Sequence, residues 1–302
     1  MVASASARAI PVTRPSTDPR LIASLAAVYL IWSSTYLAMR VAVTELPPLL
    51  MASARFFAAG GFLLALALRR GASWPGARAW LRALPVGALL FLGGNGFVAI
   101  AETRVSSGGA AVVCATMPLW VGVLGFISGA RPTAREWLSL LIGFVGVVVL
   151  VGGPSLDGDA LHIAILCGSP VLWATGSLLS RRLAHDGPHG GVVGPALQML
   201  CGSGVLVAVG LLRGETIPRH ASATAWLMVG YLAMFGSVVG FTAYSWLLRN
   251  ARPVVATSYA YVNPVLAVLI GAALYGEPLG WTTLVANVLI VGAILLALRR
   301  RR

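Results

Sequence analysis

Arg55 stands in an otherwise uncharged run, residues 46–68. A guanidinium stays charged at any physiological pH and offers a fork of donors that matches a carboxylate. Two readings fit such a residue. It anchors the carboxylate of a bound molecule, or it forms a structural pair with Glu102 or Glu45. If the run is a helix entered near Pro47, eight residues at 1.5 Å place Arg55 about 12 Å along it. A charge at that depth of a membrane faces protein or water. Asn95 and Glu102 are seven residues apart and so share one helix face. Glu102 suits either a substrate ammonium or the neighbouring Arg104.

The remaining candidates are aromatic or neutral. Trp32 is followed directly by Ser33, Ser34, Thr35 and Tyr36, and Trp173 lies in a similar uncharged run. Both tryptophans are ten or more residues from the nearest charge on their N-terminal side, well inside an apolar stretch. Tyr244, Tyr259, Tyr261 and Asn263 add hydrogen-bonding groups in equally apolar surroundings. Aromatic walls with a few polar points are what a site for a small amphipathic molecule requires. Bond-making chemistry has no comparable set. His162, His185, His189 and His220 fall at the ends of apolar runs or between them, and the sequence has no HExxH and no GxxxxGK[ST]. No acid lies centrally in any run, so a proton relay has no carrier there. Cys114, Cys167 and Cys201 form no CxxC pair and read as small apolar fillers. No metal site and no cofactor is expected.

The elements that must position these groups follow from composition. Of 302 residues, 58% are hydrophobic and 10% charged, with a mean hydropathy of +0.86. A soluble globular chain carries roughly a quarter charged residues, so a soluble enzyme and a nucleic-acid binder are excluded. Nine stretches, beginning at residue 21 and ending at 298, contain no Asp, Glu or Arg over a length that spans a bilayer, and residues 46–68 make a tenth around Arg55. A crossing helix needs about 20 apolar residues. The expectation is an all-α polytopic membrane protein of ten transmembrane helices. Residues 1–20 form a tail with an uncleaved first helix behind it, and 299–302 form a basic C-terminus.

The net charge of +13 comes entirely from arginine, with no lysine. With ten crossings and both termini on one side, 17 of the 22 basic residues share that side. Only Arg40, Arg104, Arg213 and Arg219 lie opposite. Excess arginine marks the cytoplasmic face. Both termini are therefore expected in the cytoplasm, and the charge reports topology rather than a nucleic-acid partner.

The chain also repeats itself. Trp32 and Trp173, Leu37 and Leu178, Arg40 and Arg181, and Pro47 and Pro188 are each 141 positions apart. Trp80 and Trp226, Ala110 and Ala256, Pro118 and Pro264, Gly125 and Gly271, and Gly146 and Gly292 are each 146 apart. Two repeats of five spans, 21–153 and 160–298, must be inverted in the membrane, because five is odd. Inverted repeats are a design of secondary transporters, with the substrate site between them near the midplane. Pro118 and Pro264 read as matching helix kinks beside a cavity. Gly93, Gly94, Gly96, Gly236 and Gly240 read as positions of close helix packing.

IWSSTYLAMRVAV with PPLLMASARFFAAG (31–60), GGNGFVAIAETRVSSGGAAVVCATMPLW (93–120) and SYAYVNPVLAVLIGAALYGEPL (258–279) resemble the EamA family of the drug/metabolite transporter superfamily. The likeness runs from about Leu21 to Arg299 and is closest to bacterial inner-membrane exporters of amino acids. It implies ten helices in two inverted five-helix repeats around a central cavity. The implied lining is Trp32, Asn95, Met117, Pro118, Trp173, Tyr244, Tyr261 and Asn263. The small multidrug pumps of the superfamily couple protons through a Glu in their first helix, and residues 21–39 here contain no acid. That points to facilitated, uncoupled export.

The expected function is export of amino acids, aromatic and other neutral ones favoured, or of similar small metabolites, by alternating access across a bacterial inner membrane. The expected partners are that small-molecule substrate and the lipid bilayer, with the protein a monomer. Drug efflux by proton antiport and a membrane-embedded enzyme are the alternatives. The first wants a buried acid, and the second wants a catalytic carboxylate or histidine cluster.

Overall fold

In the computed structural model the described residues are 18–101, 103–105, 107–128, 132–151, 159–185, 191–218, 220–275 and 281–298. Among them every regular element is helical. In chain order they are α1 (Pro19–Val43), α2 (Pro48–Arg69), α3 (Ala77–Ala101), α4 (Ser107–Cys114), α5 (Met117–Ile127) and α6 (Ala134–Val151). Then follow α7 (Ala160–His185), α8 (Val193–Leu212), α9 (Ala223–Asn250), α10 (Pro253–Ala256), α11 (Tyr259–Tyr275) and α12 (Trp281–Leu298). Six of them, α2, α3, α7, α8, α9 and α12, are long and apolar enough to cross a membrane. The chain is a polytopic helical membrane protein.

Two long helices change pitch midway. α3 runs as a π-helix from Ala88 to Gly96 and α9 does so from Leu232 to Phe241. Polar side chains take up carbonyls there at a five-residue spacing: Asn95 Nδ2 approaches the Leu90 carbonyl at 3.4 Å and Ser237 Oγ donates to Leu232 O at 3.2 Å. π-Segments inside α-helices are rare and gather at functional sites.

The expected 105–130 span is interrupted. α4 ends at Cys114, and Pro118 sits in the first turn of α5, where a missing N–H costs nothing. In the second half the interruption falls at Thr257 and Ser258, between α10 and α11, and Pro264 lies inside α11. The two prolines therefore stand at different distances from their breaks. Hydroxyls bridge both gaps: Thr116 Oγ1 donates to Val113 O at 2.6 Å and Thr257 Oγ1 to Pro253 O at 2.9 Å.

Small residues set the packing. A Cβ on Gly60 of α2 would lie 2.9 Å from Ala196 O of α8, and one on Gly146 of α6 would lie 2.7 Å from Ile290 of α12. Ser53 of α2 donates to Ser203 O of α8, and Ser139 of α6 to Ala293 O of α12, each at 2.9 Å. Without glycine or serine at these points the backbones would have to part.

The ends of the bundle are tied by charge. On one face Glu215 accepts from the first free amides of α2, Leu49 and Leu50, each at 3.0 Å. There too Glu45 takes both the amide (2.6 Å) and the hydroxyl (2.7 Å) of Ser222, the N-cap of α9. Carboxylates at helix N-termini complement unpaired amides and the helix dipole. On the other face Thr133 and Glu136 form a capping box at the start of α6. Glu136 also pairs with Arg252 at 3.0 Å, and Arg252 reaches the Ala297 carbonyl.

Candidate functional site

Four rings from four helices meet in the middle of the bundle. Trp32 of α1 stands edge-on to Trp173 of α7 (centroids 5.9 Å apart) and to Tyr259 of α11 (4.6 Å), and tilted against Tyr244 of α9 (5.2 Å). Tyr244 in turn touches Trp173 (6.0 Å) and Tyr259 (5.4 Å). These are the offset and edge geometries that aromatic quadrupoles favour.

The cluster is fixed by the helices' own pattern. Trp173 and Ser177 are one turn apart on α7, and both address one phenol. Trp173 Nε1 donates to Tyr244 Oη at 3.2 Å, and Ser177 Oγ lies 2.7 Å from it. Trp32 Nε1 donates to Gly236 O, in the π-segment of α9, at 2.9 Å. Tyr244 is fully buried, whereas both indoles keep part of their surface accessible. The tyrosine braces the cluster and the indoles offer it outward.

Each indole lies on a glycine. A Cβ on Gly94 of α3 would fall 2.2 Å from Trp173 Cε3, and one on Gly240 of α9 would fall 2.5 Å from Trp32 Nε1. The two tryptophans are 141 positions apart and the two glycines 146, the same offsets that relate the two halves. So the tryptophan of each half rests on a glycine of the other. The expectation that Gly94 and Gly240 are close-packing positions is met.

Asn263 is buried beside the cluster: Ser33 Oγ of α1 donates to its Oδ1 at 3.3 Å. Tyr29 and Ser258 pair one turn further on, with 2.6 Å between hydroxyls. Met117 and Pro118 are buried at the start of α5, Met117 within the same core as the cluster. Tyr261 is placed elsewhere. It donates to Leu140 O of α6 at 3.0 Å, packs on Gly143, and belongs to a separate core with Val147 and Ile290.

Arg55 and Asn95 face one another, Nη2 to Oδ1 at 3.5 Å, and the guanidinium lies over the Phe56 ring at 4.2 Å. Glu45 is occupied by Ser222, so the Arg55–Glu45 pair does not form. Glu102 lies outside the described residues. A column of rings joins this corner to the cluster: Phe56 to Phe91 (4.2 Å), Phe91 to Phe241 (5.0 Å) and Phe241 to Tyr244 (6.1 Å). Among the described residues no group of acids, histidines and cysteines could hold a metal ion.

Sequence reasoning noted Tyr259 only as one buried hydroxyl among several and missed Ser177 and the phenylalanine column. The signals were present. Tyr259 and Asn263, like Trp173 and Ser177, are four apart and so share a helix face.

The model of the EamA-like transporter family matches residues 20–152 and again residues 161–299. The uncharacterized inner membrane transporter YedA of Escherichia coli strain K12 is 43% identical over 278 residues, covering 91% of this chain and 90% of that protein. Protein PecM of Dickeya dadantii is 23% identical and covers 88% of each chain. An uncharacterized transporter of Archaeoglobus fulgidus, also 23% identical, covers 90% of this chain and 95% of its own. A solved crystal structure aligns with a TM-score of 0.76 over 92% of this chain and 96% of its own at 22% identity, a shared fold.

Proposed function

The chain belongs to the EamA-like transporter family, and from that premise we propose that it exports amino acids, aromatic and other neutral ones foremost, or closely similar small metabolites. The route lies between two inverted repeats, 21–153 and 160–298, of five spans each. In that arrangement α4 with α5, and α10 with α11, each make one interrupted span. Two family matches of similar length and the exchange of tryptophans and glycines between halves support the repeat. The inner membrane is the location proposed, as for YedA, with the termini and the Glu136–Arg252 face in the cytoplasm, on the arginine excess.

The observation that carries the reading is the four-ring cluster at the meeting of the halves. It presents two part-accessible indoles, a buried tyrosine and neutral dipoles, with Asn263 and Ser33 alongside. Such a surface suits an apolar side chain. Backbone groups freed at the interrupted helices and π-segments supply further hydrogen bonds. Alternating access then moves the halves about this cluster. Residues 21–39 carry no acid to couple a proton, so transport is facilitated and runs down the substrate gradient, with the monomer as the working unit.

Counterflow in proteoliposomes tests this. Vesicles loaded with unlabelled phenylalanine should accumulate labelled phenylalanine, with no requirement for a pH gradient. Failure of every amino acid in a panel to exchange removes amino acids as the substrate.

A further inference from the structure

Arg55 is 7% exposed, and its Nε is buried with no acceptor. Its polar partner is a neutral amide at 3.5 Å, longer than a well-formed N–H···O bond. The other support is the face of Phe56. The described acids are engaged elsewhere: Asp18 caps α1, Glu45 holds Ser222, Glu136 pairs with Arg252, Asp159 with His162, and Glu215 caps α2. Among the described residues no carboxylate pairs with Arg55, and an ionised group without a counter-ion in a bundle interior is costly. α8, which packs on α2, offers no counter-ion, since it contains no charged residue from Val193 to Leu212.

The geometry of the free donors is specific. Nε–H and one Nη–H of a guanidinium form the side-on fork that grips both oxygens of a carboxylate. Nε is the donor left unused here. Asn95 stands at the mouth of the fork, and a half-turn of its amide would exchange Oδ1 for Nδ2, turning an acceptor into a donor for the same anion. Its neighbour Gly94 is the residue on which Trp173 rests, and successive Cα atoms are about 3.8 Å apart. Consecutive residues of α3, in its π-segment, thus carry the charged corner and the seat of Trp173, and the rings of Phe56, Phe91 and Phe241 link that corner to Tyr244.

We propose that Arg55 and Asn95 seat the carboxylate of the transported molecule, with its apolar body lying toward Trp173 and Trp32. The substrate class is then a small amphipathic carboxylate, in which the acid group is read by charge and the amine is not. This rests on the export reading above and narrows it.

The test uses thermal unfolding of the purified full-length protein in detergent, titrated with 3-phenylpropanoate, which has the acid without the amine, or with phenethylamine, which has the amine without the acid. The wild type should be stabilised by 3-phenylpropanoate and not by phenethylamine. Arg55→Gln should raise the half-saturating concentration at least tenfold, and Arg55→Lys should recover part of the loss. Asn95→Asp places a permanent anion in the seat. It should raise the unfolding temperature without ligand and abolish the response to 3-phenylpropanoate, which decides the matter even if Arg55→Gln does not fold. No response of the wild type to 3-phenylpropanoate, an equal response to phenethylamine, or an Asn95→Asp protein that still responds would overturn the proposal. Phenylalanine counterflow separates the two readings. Exchange that is equal in wild type and Arg55→Gln keeps export and removes the seat. An Arg55-dependent response to 3-phenylpropanoate without any amino-acid exchange keeps the seat and removes amino-acid export.

Discussion

The indole of Trp173 lies on the bare backbone of Gly94, with no room beneath it for a methyl group. Trp32, whose ring centroid is 5.9 Å from that of Trp173, repeats the arrangement on Gly240. A side chain on Gly94 would push α3 away from α7, and one on Gly240 would push α9 away from α1, at a cost set by how far each indole can withdraw.

Gly94→Ala and Gly240→Ala should therefore each destabilise the protein by about 1–3 kcal/mol, the usual range for overpacking a filled core. Gly230→Ala is the control, because nothing lies within 4 Å of a Cβ there, and alanine is the better helix former. Thermal unfolding in detergent checks this. Gly94→Ala with wild-type stability would mean that Trp173 is free to move away.

Much of the framework is legible in the sequence. Long runs without Asp, Glu or Arg become helices, because a lipid-spanning backbone must satisfy its own hydrogen bonds. The paired offsets of 141 and 146 link Trp32 with Trp173 and Gly94 with Gly240, although they do not say which tryptophan meets which glycine. The π-segments were not legible, since a five-residue hydrogen-bond spacing leaves no hydrophobic period to read. Nor was the choice between Tyr259 and Tyr261. Two positions apart on a helix is about 200° of rotation, so one faces Trp32 and the other faces Leu140, and only the helix's rotational setting decides between them. The break at Thr257 and Ser258 was hidden because hydroxyls, not a proline, take over the carbonyls there.

Side-specific labelling checks the topology. Thr44 is exposed between α1 and α2, and Ser73 is exposed between α2 and α3. In a background with its three native cysteines replaced, Thr44→Cys should react with a membrane-impermeant maleimide added outside intact cells, and Ser73→Cys only after lysis. The opposite pattern would invert the orientation, and equal reactivity would show that α2 does not cross.

The Glu45 carboxylate gives a pH dependence. The Ser222 hydroxyl, and then its amide, hold Glu45 below the usual carboxylate range. A depressed folded-state pKa contributes stability above the unfolded value, near pH 4.3, and loses it as pH falls through the lower folded value. Unfolding temperature should therefore be insensitive to this pair from pH 7 to 5 and should drop below about pH 4. Glu45→Gln should show a smaller drop over that window. A Glu45→Gln protein with an unchanged acid profile would show that the link to α9 bears no load.

Pro264 lies inside α11 and cannot donate to the Ala260 carbonyl, whereas Pro118 begins α5, where no donor is missed. Pro264→Ala restores that bond and stiffens α11 beside the cluster. It should slow counterflow several-fold at normal expression, and Pro118→Ala should slow it less. Equal wild-type rates in both variants would take the prolines out of the transport cycle.

The last expectation concerns selectivity in the cluster. A substrate side chain gains about 25 cal/mol for each Å² of apolar surface removed from water, so a phenyl ring gains more from the indoles than a hydroxyethyl group does. A ring seated edge-on or offset against Trp173 adds roughly 0.5–1.5 kcal/mol beyond area. Trp173→Ala removes both terms for phenylalanine or tryptophan and takes little from threonine, whose contacts are polar and few. Counterflow of the aromatic substrates should fall about tenfold, the equivalent of roughly 1.4 kcal/mol, and that of threonine two- to threefold at most. The same truncation leaves Tyr244 without its indole donor, but Ser177 still holds the phenol at 2.7 Å, so the brace survives and the comparison between substrates stays interpretable. Tyr244→Phe is the counterpart. It keeps the ring and loses the hydroxyl that Trp173 and Ser177 address, and so should lower unfolding temperature while reducing all substrates alike. If Trp173→Ala lowered aromatic and small substrates equally, the indole would be a packing element between the halves and the selectivity would have to reside elsewhere.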